Sequence, residues 1–532
     1  MKKVLLLFIL LSFIFITSCK KNNIKYIFFI TLDTTRADFI EYNSDTNLTP
    51  NLAKLASKGL IFKNAYSLIP ITLPSHNSMF YSRYPHELKI YNNGQIRDIK
   101  YPTMTQLLRA NGYYTGAVIS LGVLKKDFGL NKGFIDYNDK FSEGLWYKRA
   151  EEVTIQAMKI IDKGKGKKSF FWIHYSDPHE PYFPPIYKGK FLVKFKNNLL
   201  YEGTCVDKAL IKINLKISPG KNILKLENIL PQQLVMKNKF STGFKNITYI
   251  DFKLNPQNKK EITIKYPDDW RILKPRGKTH YKTKELISEI IINNTTNTLK
   301  NIKVSFLRSL VLKNKWKKFL YGREIKYMDH WIGELIKYIK QMGIYDESAF
   351  VVMGDHGEGL GEFKGHFGHI HYLYKPYSHV PMFVSGMGVK KKGFNNNLVS
   401  NLNIAPTILE LTGINKPKTM IGYSLFDKNA KHNRLLLETF FPEAYFDVFS
   451  LIEYPYQLIF SPGRKKDRLE FINLKKSNIG LDNIIKTNEA GKLRRDMINE
   501  ILKISRIITA TKFKPTKISE RQKEILKSLG YL

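Results

Sequence analysis

The sequence predicts a doubly wound α/β fold, in which a mostly parallel sheet carries helices on both of its faces. Short apolar strands alternate with amphipathic helices along most of the chain. The strands are nearly continuous apolar runs, which is typical of parallel strands buried on both faces. Acidic residues and histidines follow directly after several of them. Ligands bind outside the carboxyl ends of the strands in such sheets, so these residues also predict where a site lies.

The predicted elements follow one another at the spacing expected of such a fold. Their boundaries come from apolar periodicity, together with proline at helix starts and glycine at helix ends. The first helix, for instance, has Pro50 in its first turn and stops at Gly59. The predicted strands are Tyr26–Leu32, Gly116–Ser120, Ser169–Tyr175, Ala349–Met353 and Val380–Val384. The predicted helices are Thr49–Gly59, Thr103–Asn111, Ala150–Lys163 and Ile325–Met342.

One segment breaks this alternation and divides the α/β domain in two. Residues 191–313 are rich in short β-type runs separated by Gly and Pro, and we expect them to form an inserted β-sandwich-like module. Such a module binds glycan, shapes the mouth of the site, or is a decorative insertion. The flanking ranges 26–190 and 314–426 then form one discontinuous catalytic domain, and 427–532 forms a small C-terminal α+β subdomain.

The N-terminal residues predict export and a lipid anchor. Residues 1–18 have the form of a secretory signal, with two lysines ahead of a mostly apolar run that is too short for a membrane span. The end of this run, Ile16–Cys19, resembles a bacterial lipoprotein box, which makes Cys19 the expected lipidated residue. A plain cleaved signal is the alternative. The expected location is the bacterial cell envelope, anchored to a membrane and facing the periplasm or the exterior.

Cysteine usage and charge exclude several classes of function. Cys205 is the one cysteine besides Cys19, so if Cys19 carries lipid, Cys205 has no intramolecular partner and a disulfide framework is excluded. Two cysteines are also too few for a cysteine-rich metal site. The net charge of +40 would usually indicate nucleic-acid binding, but the lysines are spread along the whole chain and no nucleic-acid motif accompanies them. An exported protein also meets little nucleic acid. Anionic lipid headgroups and polyanionic glycans are the partners that such a charge attracts.

Residues of the types that bind metals follow three of the predicted strands. They are Asp33, Asp177, His179, Asp355 and His356. Because the carboxyl ends of parallel strands meet at one edge of the sheet, we expect Asp33, Asp355 and His356 to hold a divalent cation, with the oxygen of Thr72 as a fourth contact. Mixed oxygen and nitrogen ligands suit Ca, Mg, Mn or Zn. Glycines at 354, 357, 359 and 361 are expected to let the backbone approach a bound ion or phosphate.

The segment from Ile71 to Phe80 predicts the nucleophile. Its proline, Pro74, is favoured in the first turn of a helix, so Thr72 is expected just ahead of a helix N-terminus. Unpaired N–H groups and the positive end of the helix dipole favour an alkoxide and an anionic substrate there. A metal-bound or metal-adjacent threonine hydroxyl can attack a tetrahedral ester, and a neighbouring histidine can protonate the leaving oxygen. An ordinary threonine cap on a surface helix is the alternative.

Five segments, taken in order, resemble the sulfatase branch of the alkaline-phosphatase superfamily. Together they cover Lys25–Lys190 and Lys318–Phe426, and the closing residues Leu526–Tyr531 are similar to the usual ending of that family. The resemblance implies an alkaline-phosphatase-like fold and a metal-dependent hydrolase. The segments are Thr31–Asp38, Pro70–Pro85, His174–Tyr182, Gly354–Glu362 with its continuation to His369, and Asn403–Leu409.

The resemblance also implies roles for individual residues. The residues that match its metal ligands are Asp33, Asp355 and His356. Thr72 stands at the position of the covalent nucleophile, and His179 and His369 match positions that contact the substrate anion or its leaving group. His369 equally matches a ligand of the second metal in two-metal relatives. The sequence departs from the family at two positions. His76, which we expect to contact the substrate, replaces an arginine, and Thr34 replaces the second aspartate of an acidic pair.

The nucleophile position decides between the expected activities. Typical sulfatases convert a Cys or Ser there into formylglycine, and Thr72 is a secondary alcohol that cannot become an aldehyde. An unmodified threonine serves related phosphodiesterases and phosphoethanolamine or phosphoglycerol transferases. We therefore expect an extracytoplasmic hydrolase of phospho- or sulfo-esters that favours phosphodiesters or phosphonate esters, acting on a glycan, a lipid headgroup or a small molecule. The alternatives are a true sulfatase, a transferase acting on lipid or glycan, and a non-catalytic binding lipoprotein.

Overall fold

The computed structural model describes most of the chain, as two compact units. One unit comprises residues of Met1–His179 and Ile325–Leu532, and the other comprises residues of Glu180–Glu324. The predicted insertion, 191–313, falls within the second unit. The described residues are 24–43, 47–142, 146–180, 182, 190–204, 209–229, 244–253, 260–268, 271–273, 280–283, 287–312, 314–429, 432–440, 447–462, 468–477 and 479–511.

The described part of the chain forms nine α-helices and twenty-four strands. The helices are α1 Pro50–Ala56, α2 Thr72–Tyr81, α3 Pro85–Leu88, α4 Met104–Ala110, α5 Ala150–Gly164, α6 Asn314–Gln341, α7 Lys375–Ser378, α8 Ile404–Thr412 and α9 Gly491–Thr511. The strands are β1 Tyr26–Leu32, β2 Leu60–Tyr66, β3 Tyr114–Val118, β4 Asp136–Asn138, β5 Ser169–Tyr175, β6 Lys190–Phe195, β7 Asn198–Thr204, β8 Ala209–Ile217, β9 Gly220–Ile229, β10 Phe244–Lys253, β11 Ile262–Lys265, β12 Arg271–Leu273, β13 His280–Thr283, β14 Ile287–Asn294, β15 Lys300–Leu312, β16 Ser348–Gly354, β17 Gly359–Leu360, β18 Phe367–Gly368, β19 Met382–Gly386, β20 Gly393–Ser400, β21 Leu435–Thr439, β22 Val448–Glu453, β23 Tyr456–Ser461 and β24 Arg468–Asn473.

The first unit is built on an eight-stranded mixed sheet in the order β20-β2-β19-β16-β1-β5-β3-β4. Strand β1 pairs in parallel with β16 on one side and with β5 on the other, and β5, β3 and β4 continue in parallel. Strand β19 runs antiparallel to both of its neighbours. The predicted α/β class is confirmed, and its central parallel strands are those that the apolar runs indicated.

Three strands of this sheet are missing from the prediction: the short β4, and the longer β2 and β20. Strand β2 is interrupted at its centre by the exposed Lys63, so its sequence lacks a continuous apolar run. Strand β20 begins with exposed residues and is buried only over its last three positions, Leu398–Ser400. Strands β2 and β20 join the sheet through pairing partners far away in sequence, which a local pattern cannot indicate.

The core explains why the central strands are apolar throughout. All seven residues of β1, of β5 and of β16 are buried. On one face the ring of Phe28 stacks on Phe171 and on Phe350, with centroids 5.2 Å apart in both pairs. Helix α5 covers part of the sheet with buried residues that include Val153 and Ile161. Strands covered by side chains on both faces need apolar residues at every position, not at alternate ones.

The second unit contains two antiparallel five-stranded sheets. Their strand orders are β12-β13-β10-β15-β8 and β11-β14-β9-β6-β7. Apolar residues such as Ile211 and Leu215 on β8, and Leu224 and Leu226 on β9, are buried, while alternate positions such as Lys212 are exposed or half-buried. This period of two is typical of sheets with one face on a core, so the unit has the β-rich character that we predicted.

The C-terminal residues form a four-stranded antiparallel sheet, in the order β21-β22-β23-β24, together with helix α9. An apolar cluster joins Phe449 and Leu458 of this sheet to Ile69 and Ile71, which precede helix α2. The backbone N–H of Glu438 on β21 also donates to the carbonyl of Leu68 at 2.8 Å. The C-terminal sheet therefore supports the segment that leads into the predicted nucleophile.

Several predictions concern residues outside the described ranges. They are the signal at 1–18, the lipidation site Cys19, the free Cys205 and the family-like ending Leu526–Tyr531. The anchoring prediction therefore stays a prediction. Among the helices that lie in the described ranges, none combines the length and the apolar character that crossing a membrane requires.

Candidate active site

Thr72 is the first residue of helix α2 and is fully buried. Ile71, in extended conformation with φ of −145°, is the N-cap, and its carbonyl accepts the first helical bond from Ser75 at 3.0 Å. The backbone N–H of Leu73, the second residue of the helix, donates to Oδ1 of Asn93 at 2.9 Å. The prediction placed Thr72 one position earlier, just ahead of the helix. The hydroxyl nevertheless lies in the first turn, where the helix dipole favours negative charge.

The two predicted carboxylate ligands come from adjacent parallel strands. Leu32 and Gly354 are paired, and Asp33 and Asp355 follow them. Oδ1 of Asp355 accepts the backbone N–H of Thr34 at 3.0 Å and that of His356 at 2.6 Å. In contrast, Oδ1 of Asp33 and Oδ2 of Asp355 are buried and receive no hydrogen bond from the described residues. Buried carboxylate oxygens that receive no hydrogen bond are the oxygens to which a cation would bind.

Asp33, Asp355 and His356 form a group that fits a divalent cation. One ligand atom from each residue lies within 4.8 Å of the others, and all three side chains are buried. Burial, and then the neighbouring charge of Asp33, raise the pKa of Asp355 well above its ordinary value. Burial also acts to raise the pKa of Asp33, but the hydrogen bond and charge of His174 and the charge of His356 lower it below its ordinary value. A divalent cation would neutralise both carboxylates at once.

The unprotonated ring nitrogen of His356 lies close to the Thr72 hydroxyl. Its Nδ1–H donates to the carbonyl of Gly357 at 2.9 Å, which leaves Nε2 unprotonated. That Nε2 lies 3.3 Å from Oγ1 of Thr72 and 3.5 Å from Oδ2 of Asp355. Burial, and the neighbouring His369, lower the pKa of His356 to about 3, so the ring is neutral at physiological pH. A neutral imidazole with a backbone-bound Nδ1–H is the form that ligates metals.

Two serines hold the backbone at the second carboxylate, and the sequence prediction did not include them. The hydroxyls of Ser67 and Ser75 both donate to the carbonyl of Asp355, Ser75 at 2.7 Å. Asn401 in turn donates to Oγ of Ser75 at 2.8 Å. Ser75 and Asn401 lie in or beside family-like segments, so their neighbourhood gave a signal. Ser67 lies in an ordinary apolar stretch and gave none.

The glycines around Asp355 serve close packing of the chain on itself. A Cβ atom at Gly357 would lie 2.1 Å from the carbonyl oxygen of Pro376, and one at Gly354 would lie 2.9 Å from the carbonyl oxygen of Thr35. The sequence prediction assigned these glycines to the approach of an ion or phosphate. The structure gives them a different reason at both positions, since backbone atoms of this chain already fill that space.

His179 and His369 lie together beside His356. The ring of His369 is 4.5 Å from that of His356 and 5.3 Å from that of His179, measured between centroids. Nδ1 of His369 is 3.2 Å from Oε2 of the buried Glu358, which orients the ring. His179 is half-buried and is thus the most accessible of the three. This placement suits residues that contact a substrate oxygen, and their predicted roles stay predictions.

His76, the residue in place of the family arginine, is fully buried. Its Nδ1–H donates to the carbonyl of Thr72 at 2.8 Å, and the same nitrogen lies 3.7 Å from Oδ2 of Asp355. Burial, and then the charge of His174, lower the pKa of His76 to about 3, so the ring is neutral. His76 therefore touches both the nucleophile residue and a predicted ligand, and its predicted contact with substrate is untested.

Asp177 follows a central strand as Asp33 does, but it lies apart from the cation group. Its Oδ1 accepts the backbone N–H of Ala150 at 3.0 Å, at the start of helix α5. Burial raises the pKa of Asp177 to about 6. The residue is a helix cap, so position after a strand did not by itself identify a ligand.

Comparison with known proteins agrees with this description. The protein family described as Sulfatase matches residues 25–414. A second family, described as N-sulphoglucosamine sulphohydrolase, C-terminal, matches residues 361–506. The chain is 22% identical over 432 residues to N-acetylglucosamine-6-O-sulfatase from Bacteroides thetaiotaomicron, covering 76% of this chain and 70% of that protein. Arylsulfatase K from Homo sapiens is 32% identical over 97 residues, which is 18% of each chain.

Solved structures share the fold. A protein in complex with its substrate D-glucosamine-2-N,6-O-disulfate superposes with a TM-score of 0.60 at 15% identity, covering 91% of this chain and 98% of that chain. A phosphonate monoester hydrolase from Silicibacter pomeroyi gives a TM-score of 0.56 at 16% identity, covering 90% and 95%. The fold is thus that of the alkaline-phosphatase-like α/β hydrolases. Within this class the chain belongs to the sulfatase family, whose description matches most of its length, and it is a hydrolase of that family.

Proposed function

We propose that this protein hydrolyses phosphodiesters or phosphonate esters, with Thr72 as the covalent nucleophile. The observation that carries the proposal is the position of the Thr72 hydroxyl, 3.3 Å from Nε2 of His356 in the first turn of a buried helix. The buried carboxylates of Asp33 and Asp355 lie in the same group as His356. With a cation bound to that group, a coordinated hydroxyl would be far more acidic than a free alcohol.

The choice of phosphorus over sulfur rests on the chemistry of threonine. Thr72 cannot become formylglycine, so the route by which that aldehyde hydrate releases sulfate is closed. Phosphorus accepts in-line attack by an alkoxide, and a second displacement by water resolves the phosphothreonine. The name of one protein with this fold, a phosphonate monoester hydrolase, supports an activity of this kind on the same scaffold.

The chain's own ligand set fits a divalent cation held by Asp33, Asp355 and His356. The oxygen of Thr72, 3.3 Å from Nε2 of His356, would be a further contact. The imidazole favours Zn or Mn over Ca and Mg, which prefer oxygen ligands. When bound, the cation supplies Lewis acidity, which lowers the pKa of a coordinated hydroxyl and stabilises negative charge on the ester oxygens.

The reaction has two displacements. In the first, Thr72 gives its hydroxyl proton to water, its Oγ1 forms a bond to phosphorus, and the bond from phosphorus to the leaving oxygen breaks. That oxygen takes a proton from His369 or His179. In the second, water attacks phosphorus and gives a proton back to the same histidine, while the bond between phosphorus and Oγ1 breaks and Thr72 is reprotonated by water. The net change is hydrolysis of one ester bond.

Sulfate-ester hydrolysis is the second candidate. It is supported by the names of the relatives, among them N-acetylglucosamine-6-O-sulfatase. A threonine nucleophile would form a sulfothreonine, which water resolves less readily than a phosphothreonine. A sulfated glycan is the substrate class that this candidate would take, because one of the solved proteins described above is in complex with its substrate D-glucosamine-2-N,6-O-disulfate.

The proposed location is the cell envelope, with Cys19 as a lipid anchor. The proposal is supported by the charged, apolar and small residues that precede Cys19 in the sequence. An enzyme anchored there meets ester substrates of the envelope or of the surroundings, including glycans and lipid headgroups.

A panel of chromogenic esters tests the proposed activity. The purified enzyme, loaded in turn with Zn, Mn, Mg and Ca, is given phosphate monoester, phosphodiester, phosphonate ester and sulfate ester. We expect phosphodiester or phosphonate ester to be cleaved fastest, and a phosphate group on Thr72 to be trapped by acid quench and peptide mass spectrometry. Robust sulfate release without action on any phosphoester would contradict the proposal. Products formed only when an acceptor alcohol is added would indicate a transferase instead.

A further inference from the structure

The two carboxylate oxygens of Asp33 lie in different environments. Oδ2 is 3.2 Å from Nε2 of His174, and both side chains are completely buried. Oδ1 is buried as well and receives no hydrogen bond from the described residues. One oxygen of this predicted ligand is therefore tied to the protein, while the other is buried without a hydrogen-bond donor among the described residues.

Ser120 fixes which nitrogen of His174 carries the proton. The backbone N–H of Ser120 donates to Nδ1 of His174 at 3.3 Å, and the Ser120 hydroxyl lies 2.6 Å from the same nitrogen. A backbone N–H can only donate, so Nδ1 is the acceptor. A neutral imidazole then carries its proton on Nε2 and donates it to Asp33.

This tautomer excludes His174 as a metal ligand. His174 has a ligand atom within 4.8 Å of atoms of His76 and Asp355, so on distance alone these three residues form a second possible cation group. Both nitrogens of His174 are engaged, however, one as a donor to Asp33 and one as an acceptor from Ser120. Nδ1 of His76 likewise donates to the carbonyl of Thr72 at 2.8 Å. The contribution of His174 is therefore through Asp33.

The surrounding structure holds the pair rigidly. His174 is paired with Thr31 across adjacent parallel strands, and the backbone N–H of Asp33 donates to the carbonyl of Tyr175 at 2.8 Å. The imidazole also packs edge-on against the ring of His76, with centroids 5.0 Å apart. The ring can neither rotate nor withdraw without breaking these contacts, which is what accurate placement of a ligand oxygen requires.

We propose that His174 is a positioning residue, which holds Asp33 by its Oδ2 so that Oδ1 is presented to the cation. The inference rests on the proposed metal centre and deepens it, since neither His174 nor Ser120 belongs to the predicted ligand set. Hydrogen bonds to metal-ligating groups of this kind are worth about 10- to 100-fold in metal affinity.

Two variants test the contributions of the two ring nitrogens of His174 separately. In His174→Gln, the amide reaches the position of Nε2 and can donate to Asp33. In His174→Asn, the amide reaches the position of Nδ1 and cannot. Zn and Mn affinities are measured on the full-length protein by competition with a fluorescent chelator, and thermal unfolding in chelator checks that the metal-free variants are folded. We expect His174→Asn to lose about 10- to 100-fold in affinity and His174→Gln to keep most of it.

Equal affinity of wild type and His174→Asn would overturn the inference, as would an equal loss in both variants, which would mean that the ring itself is needed. A wild type that binds no metal would overturn the proposed centre and the inference with it, so the two failures are distinguishable. If His174→Asn does not fold, the tautomer is measured on the wild type by selective ¹⁵N labelling of the twelve histidines. A protonated Nδ1 at His174, assigned by its absence in His174→Gln, would then overturn the inference.

Discussion

Nε2 of His356 and the hydroxyl oxygen of Thr72 lie 3.3 Å apart, although the two residues are separated by 284 positions in the sequence. One follows strand β16 and the other begins helix α2. The contact brings a neutral nitrogen lone pair against a buried hydroxyl. The contact connects the predicted cation group with the predicted nucleophile. Substitution of either residue should therefore lower the hydrolytic activity.

Replacement of the nucleophile is the first test of this arrangement. Thr72→Ala should lower kcat on the best phosphoester on the order of 10⁴- to 10⁶-fold, because the covalent step is lost. Thr72→Ser keeps a hydroxyl and should retain part of the activity, and it gains sulfatase activity only in a host that converts serine to formylglycine. Steady-state and burst kinetics measure both. Ser78→Ala, which removes a buried hydroxyl from the same helix, is the matched control and should stay active. Thr72→Ala with near-normal turnover would rule out Thr72.

Metal dependence should appear in stability as well as in activity. Burial and the charge of Asp33 raise the pKa of Asp355, so two ionised carboxylates are unfavourable there until a cation binds. Metal at about 100 times its Kd adds about 2.7 kcal/mol, which raises Tm by several degrees. Asp355→Asn should lose this rise, yet unfold no earlier than wild type in chelator, since a buried carboxyl that is unfavourable without metal is replaced by a neutral amide. Differential scanning calorimetry with and without Zn or Mn measures both effects.

The control for Asp355→Asn is Asp346→Asn, which changes the same charge at an exposed position. It should leave the metal-induced rise intact. An unchanged rise in Asp355→Asn, or no metal bound by wild type in elemental analysis, would mean that the cation group is assigned wrongly.

The sequence predicted the ligand group because its members follow apolar strands that pair with one another. Asp33 and Asp355 stand one residue past the paired Leu32 and Gly354, so strand ends alone brought them together. Asp177 follows a strand equally well but caps helix α5, because only the three-dimensional path of the chain decides where the carboxylate goes.

The polar contacts that hold these ligands in place could not be predicted from the sequence. Ser67 and Ser120 lie in stretches without a motif, and each acts through a geometry set by distant segments. The direction of β19 was likewise beyond prediction, since an apolar run is the same in a parallel and an antiparallel strand. Polar contacts between segments far apart in sequence leave no periodic trace, whereas burial does.

Anchoring is tested through Cys19. The small polar residues before it resemble a lipoprotein box, and a lipid on that cysteine would hold the protein at a membrane. Cys19→Ala should therefore move the protein into the soluble fraction, as measured by fractionation and immunoblotting of a bacterial host. Cys205→Ala is the control and should stay with the membranes. A Cys19→Ala protein that sediments completely with membranes would place the anchor elsewhere.

Asp329 provides a cap for a helix far away in sequence. Its Oδ1 accepts the N–H of Leu52 at 2.8 Å, and its Oδ2 accepts the backbone N–H of Asn51 at 3.1 Å, at the start of helix α1. Asp329→Asn places an amide among these donors and should cost about 2 kcal/mol, seen as a lower Tm, with kcat unchanged. The exposed Asp346→Asn is again the control. An unchanged Tm would show that the cap contributes nothing.

His86 should make stability depend on pH. It lies at the start of helix α3, where its Nδ1 is 2.8 Å from Oε2 of the buried Glu438, and its backbone N–H donates to Oε1 at 2.8 Å. Burial alone would lower the pKa of His86, but the hydrogen bond and the charge of Glu438 outweigh it and raise the pKa above 6.5. A folded-state pKa above the unfolded value means that protonation favours the folded state.

The contribution of His86 is therefore complete below about pH 6.5, the unfolded value, and is lost as the pH rises through the folded value. His86→Gln should lower Tm relative to wild type at pH 6, and the difference should shrink by pH 9. His330→Gln, at an exposed histidine with no carboxylate partner among the described residues, is the control and should show no such trend. Thermal unfolding at both pH values measures the difference, and a gap that is constant or grows with pH would contradict the link between His86 and Glu438.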